Sequence, residues 1–162
     1  MDKIYDLDIA RNTIKKFCAY QERSQKQVRE RLQKMGLIED AINLLISECI
    51  QENYLNEERF ARAFVRGKHK IKKWGRKRLE LELKKHEVSD YVMRKAMSEI
   101  DDDSYDDQLQ ELAEKRWNSV TEPNRFKKGK KVVDYLLRRG YESSAVWEVV
   151  HSFINQSPES DE

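Results

Sequence analysis

Leu32-Gln33-Lys34-Met35-Gly36-Leu37, Leu83-Lys84-Lys85-His86-Glu87-Val88 and Leu136-Leu137-Arg138-Arg139-Gly140-Tyr141 share one frame: leucine, basic residue, turn position, hydrophobe. The turn positions 36, 87 and 140 are 51 and then 53 residues apart, the length of one supersecondary unit in a repeat protein. Around each frame the apolar residues recur at helical spacing. Leu7, Ala10, Ile14, Phe17 and Cys18 mark a first helix from about Asp6 to Tyr20. Ser24 and Gln27 form a capping box that opens a second helix with Val28 and Leu32, and Gly36 ends it. Ile42, Leu45, Ile46 and Cys49 lie on one face of a third.

The theme then repeats twice. Asn56 caps a helix with Phe60, Ala61 and Phe64, Trp74-Gly75 interrupts, Leu79 and Leu83 mark the next, and Ser89 or Asp90 caps one with Val92, Ala96 and Ile100. Leu109, Leu112, Ala113 and Trp117 follow on a helix beginning near Ser104; then Val132, Val133 and Leu136; then Val146, Val149, Val150 and Phe153. A unit of about 50 residues covers too little apolar area to stand alone, and stacked neighbours supply the rest. The expected fold class is therefore all-α: three tandem three-helix repeats stacked into an elongated, curved array. Their borders are expected at 1–55, 56–102 and 103–155, with a disordered acidic tail at 156–162. Only five glycines and two prolines punctuate 162 residues, too few for a many-turned β fold.

The chain is 38% charged, and its net charge of +2 conceals an uneven distribution. Residues 59–95 carry 14 basic and 4 acidic side chains, a net +10, whereas 96–123 carry 2 and 9, a net −7. Such asymmetry bears on partners rather than on fold. The longest apolar stretch, near Ala41 to Ile50, is interrupted by Asn43, Ser47 and Glu48, far short of the roughly 20 residues of a membrane span. The N-terminus MDKIYDLDIARNTIKKF has no continuous apolar core of a secretion signal, so the expected location is the cytoplasm. Cys18 and Cys49 are read as buried thiols acting as small hydrophobes.

Catalytic chemistry has little to work with. His69, His86 and His151 are scattered, and the Gly67-Lys68 and Gly129-Lys130 pairs lack the preceding glycine and following hydroxyl of a phosphate loop. The aspartates at 101, 102, 103, 106 and 107 lack the central glycine and distal glutamate of a calcium loop, and favour a helix N-terminus instead. No cofactor, metal or catalytic residue is expected, and the chain reads as a binding protein, not an enzyme.

What stands out is RGKHKIKKWGRKRLELELKK, residues 66–85, with ten basic side chains, two acidic ones and Trp74 among them. Cations track phosphates by displacing counterions, and an indole offers a stacking face; the alternative is a solvated helical face with Trp74 packed at a repeat junction, and for Trp74 itself packing is the favoured reading. The expected contact residues are Arg66, Lys68, Lys70, Lys72, Lys73, Arg76, Lys77 and Arg78. Arg125, Lys127 and Lys128 form a weaker second patch, where cations at a helix start are electrostatically misplaced and point to an external anion.

Tyr54-Leu-Asn-Glu-Glu-Arg-Phe-Ala61, followed by Trp74-Gly75 and Glu82-Leu83, resembles the signature of the RecX family, regulators of the RecA recombinase. Arg23-Ser24 and Arg138-Arg139-Gly140-Tyr141 fit as well, and the resemblance runs from about Ile9 to Ile154. It departs from the family pattern at Glu87 and at Asn53-Tyr54, where the family usually has glycine. The resemblance implies tandem three-helix repeats and binding in the helical groove of the RecA nucleoprotein filament. It also implies lowered ATPase and strand-exchange activity in DNA repair, recombination and the SOS response, and contact with single- or double-stranded DNA. It implies structural roles for Leu55, Phe60 and Ala61, with Arg59 linking adjacent repeats. The chain is expected to act as a monomer, away from membranes. The alternative is a sequence-tolerant DNA-binding protein of tri-helical modules; a third reading is an adaptor using the acidic stretch 101–107.

Overall fold

A computed structural model describes residues 6–156, and among them the chain forms nine α-helices and no strand. They are α1 Leu7–Tyr20, α2 Gln25–Lys34, α3 Glu39–Gln51, α4 Glu57–Lys72, α5 Arg76–Lys85, α6 Asp90–Met97, α7 Asp102–Ser119, α8 Arg125–Arg138 and α9 Ser143–Ile154. The tail expected to be disordered lies, from residue 157 on, outside the described residues. No described helix is long and apolar enough to cross a membrane.

Local chemistry sets the helix ends. The Asp6 side chain accepts from the backbone N–H groups of Asp8 and Ile9. Ser24 and Gln27 close the reciprocal capping box, which satisfies two donors of the first turn of α2. Asn56 accepts from the Arg59 N–H at 2.8 Å, and Ser89, not Asp90, caps α6. Asp101 caps α7, which begins two residues before the expected Ser104 because the carboxylate accepts from both the N–H and the hydroxyl of that serine. Those bonds hold Asp101 below the usual carboxylate range.

The three aligned turn positions are left-handed in every case, with φ of 85° at Gly36, 60° at Glu87 and 95° at Gly140. Glycine takes this conformation freely, whereas a side chain brings its Cβ against the following carbonyl. Glu87→Gly is expected to raise stability by about 1 kcal/mol, the left-handed penalty less part of glycine's larger chain entropy. An upward shift of the urea midpoint with unchanged m-value checks it.

The described residues divide into two compact units. One comprises the residues through Val65 together with Glu82–Glu99; the other comprises Arg66–Leu81 together with those from Ile100 on. In the first, α1, α2 and α3 enclose a core of Ala10, Ile14, Val28, Leu32, Ile42 and Leu45, each at most 1% exposed. Cys18 and Cys49 are buried at its edge against each other, and the neighbouring sulfur together with burial pushes the Cys18 thiol up. In the second unit α7, α8 and α9 pack mutually around Leu109, Ala113, Val132, Leu136 and Val146. Phe64, Val92, Leu112 and Val149, expected inside, are only half-buried, while Met93 and Tyr105 are buried.

An ion pair repeats with the fold. Arg11 on α1 binds Glu48 on α3 at 2.6 Å, and 51 residues later Arg62 on α4 binds Glu99, after α6, at 2.9 Å. Both pairs span 37 residues. The Arg11 hydrogen bond holds the Glu48 carboxylate below its ordinary range. In the third triplet the corresponding residues are Lys115 and Ser152, which lack the complementary charges. Arg59 binds Glu22, in the loop after α1, and so joins the first two triplets as expected.

Candidate nucleic-acid interface at the basic elbow

The basic segment 66–85 folds as the end of α4, a tight elbow at residues 73–75, and α5. Lys73 sits in the left-handed region at φ 59°, so the chain reverses without a glycine there. Gly75 then brings its backbone against the turn that follows α8. Its N–H donates to the Arg139 carbonyl at 2.7 Å, and the Lys77 N–H donates to the Gly140 carbonyl at 2.9 Å. From the other side, Arg139 donates to the Lys72 carbonyl and the Tyr141 hydroxyl donates to the Lys73 carbonyl.

A buried polar network fixes the inner face of the elbow. The Tyr105 hydroxyl donates to Glu142 at 2.7 Å and accepts from the Arg76 N–H at 3.1 Å. Gln108 donates to the Tyr141 hydroxyl at 2.8 Å, and the His69 ring stacks on Tyr105 with Nδ1 2.9 Å from the Trp74 carbonyl. Burial pushes the Tyr105 phenol up and the Tyr141 phenol up to about 12, so both remain protonated donors at neutral pH. Satisfied buried networks of this kind rigidify what they touch.

The network also separates the expected contact residues. Arg76 lies over the Tyr105 ring and pairs with Asp102 and Glu142, so its charge already has partners within the protein. Around α4, successive residues turn by about 100°, which sets Arg66 and Lys70 roughly 200° from Lys68 and Lys72. The run is therefore two cationic rows, not one face. The Lys68–Lys72 row borders Trp74, whose half-buried ring has the Arg78 guanidinium 4.3 Å and the Lys68 ammonium 5.4 Å from its ring centroids. Lys70, Lys72, Lys73 and Lys77 are exposed. Arg139, from the turn that clamps the elbow, joins this row; sequence reading left it out of the site because only the tertiary fold brings it there.

The second patch has internal employment. Arg125 donates to the Phe153, Ile154 and Gln156 carbonyls and thereby caps the end of α9, so a cation at the start of α8 has an acceptor within the fold. Lys128 lies 4.5 Å from the Trp117 ring centroid, and Lys127 is exposed. Among the described residues no three His, Cys, Asp or Glu side chains are grouped to hold a metal ion.

Known proteins share this fold. The RecX second three-helix domain matches residues 56–97, and the RecX third three-helix domain matches 103–150. The regulatory protein RecX of Syntrophotalea carbinolica is 30% identical over 131 residues, covering 78% of this chain and 84% of that protein. The chain belongs to the RecX family. RecX of Clostridium botulinum strain Eklund 17B is 32% identical over 135 residues, 82% of this chain but 63% of the relative, so the chain spans under two thirds of that protein's length. The crystal structure of RecX from Lactobacillus salivarius has the same fold, with a TM-score of 0.78 at 23% identity over 90% of this chain and 95% of that one. RecX relatives are named regulatory proteins, and the second and third helical triplets expected from the sequence match RecX three-helix domains.

Proposed function

We propose that this chain regulates a RecA-type recombinase by binding its nucleoprotein filament, and that the elbow supplies the cationic contact. The observation that carries this reading is the ring of Trp74 bearing Lys68 and Arg78 against it, on a backbone tied down by Tyr105, Tyr141 and Arg139. A rigid cation–indole surface meets phosphates or acidic side chains without first being ordered, so little of the interaction is lost to side-chain entropy. Lys68, Lys72, Lys73 and Arg78 make the contact, joined by Arg139. Arg66, Lys70 and Lys77 lie outside this row, and Arg76 holds the elbow together. The action is binding rather than catalysis, in the cytoplasm, and lowers the filament's ATPase and strand exchange.

The test is a RecA ATPase assay on single-stranded DNA, with this protein titrated in at two salt concentrations. Inhibition that weakens as salt rises, and that naked DNA relieves only poorly, supports the proposal. Naked DNA that competes on equal terms with the filament would favour the sequence-tolerant DNA-binding alternative. Absence of inhibition at either salt concentration removes filament regulation.

A further inference from the structure

Behind the elbow, in the same unit, a second group of cations lines an open cavity of about 360 Å³ between the C-terminal half of α7 and the face of α8. Arg116, Lys131 and Arg138 converge on it, with Ser119 and Thr121 on the rim and Asp134 the one acid in the lining. Lys131 also reaches Glu122 at 3.4 Å. The excess of positive charge is gathered into a concavity, which a merely solvated helix face has no reason to produce.

Arg116 is held in place. Its guanidinium lies 4.6 Å from the Tyr135 ring centroid, on whose ring Arg139 also bears at 5.1 Å. The Arg116 Nε is buried with no hydrogen-bond partner in the protein. Its backbone carbonyl accepts from the Ser119 hydroxyl and the Val120 N–H. The guanidinium fork of an arginine matches oxyanion geometry.

We infer that the α7–α8 cavity is a binding site for the phosphate group of a phosphate ester, with Arg116 as its anchor and Lys131 and Arg138 closing on the remaining oxygens. The cavity exceeds a single phosphate, so it takes the group together with part of what carries it, a free nucleotide or the terminus of a nucleic-acid strand. The inference is independent of filament binding: Arg116, Lys131 and Arg138 line this cavity and none of them is among the proposed elbow contacts.

Isotope-edited NMR of the full chain, titrated separately with inorganic phosphate, a nucleoside 5′-monophosphate, and a short oligonucleotide with or without a 5′-phosphate, distinguishes the sources. Saturable shifts at Arg116, Ser119 and Thr121 with phosphate and mononucleotide indicate the free ligand. Such shifts with the 5′-phosphorylated oligonucleotide alone indicate the strand terminus. In either case affinity is expected to fall at least tenfold in Lys131→Gln and in Arg116→Gln. Lys131→Gln removes an exposed side chain and its 3.4 Å pair with Glu122, no part of the core, so it keeps the test open if Arg116→Gln fails to fold. Lys34→Gln combined with Lys84→Gln, which removes two exposed cations of the other unit, is expected to change affinity less than twofold. No saturable shift with any probe, or equal losses in the Lys131 and Lys34/Lys84 variants, overturns the inference, the second by making the attraction one of general charge.

Discussion

Gly75→Ala is expected to lower stability by about 3 kcal/mol, the upper part of the usual range for overpacking. A methyl there would lie 2.4 Å from the Gly140 carbonyl carbon, 2.5 Å from its oxygen and 2.5 Å from the Tyr141 nitrogen. All three are backbone atoms, and they belong to the turn that holds the elbow through hydrogen bonds from Arg139 and Tyr141, so neither partner can retreat without breaking those bonds. For a chain of this size the loss corresponds to a fall in Tm of roughly 6–12 °C. Gly67→Ala is the contrast, because a methyl at that position in α4 meets nothing within 4 Å. It is expected to leave Tm unchanged or raise it, alanine being the better helix former by about 1 kcal/mol. Equal thermal shifts for the two variants would remove the close backbone approach from the account.

Reversing Lys68, Lys72, Lys73 and Arg78 to glutamate is expected to raise the half-inhibitory concentration in the RecA ATPase assay at least tenfold at low salt, about 1.4 kcal/mol or more of lost binding. The dependence of log affinity on log salt is expected to flatten by about one unit for each phosphate contact removed. The local fold should survive. Lys72 and Lys73 are exposed, and Lys68 and Arg78 are half-buried beside Trp74 without carrying the Tyr105 network. Arg66→Glu with Lys70→Glu, on the other row of α4, is the control that separates a located contact from net charge, and is expected to shift inhibition less than twofold. Comparable losses from both rows would sink the located elbow contact. Far-ultraviolet circular dichroism verifies that each variant keeps its helices.

Periodicity and capping chemistry made the nine helices legible. Ser24 with Gln27, Asn56, and the turns at Gly36 and Gly140 behave as their residue types require, and Glu87 takes the left-handed backbone that alignment with two glycines demands despite its side chain. The site was legible only in part. That residues 66–85 bear the densest charge is plain from composition, and the helical period alone divides its α4 portion into two rows. The internal assignments of Arg76 and Arg125 were not legible. They depend on Glu142 and on the end of α9, which lie 66 and 29 residues away in sequence and close in space only after folding. The same holds for Arg139, which reaches the Lys72 carbonyl across 67 residues, whereas Tyr105 continues the row of Leu109, Ala113 and Trp117 at four-residue spacing and was legible from periodicity.

The hydrogen bonds to the Lys72 and Lys73 carbonyls have a consequence for digestion. A serine protease must draw several residues on either side of its target bond into an extended strand, and here the peptide bonds after both lysines are fastened through their own oxygens to Arg139 and Tyr141. Trypsin should therefore spare the most lysine-rich bend of the native chain and cut there only once α8 has come away, so that the first fragments report unfolding of that helix instead of the abundance of cleavable residues.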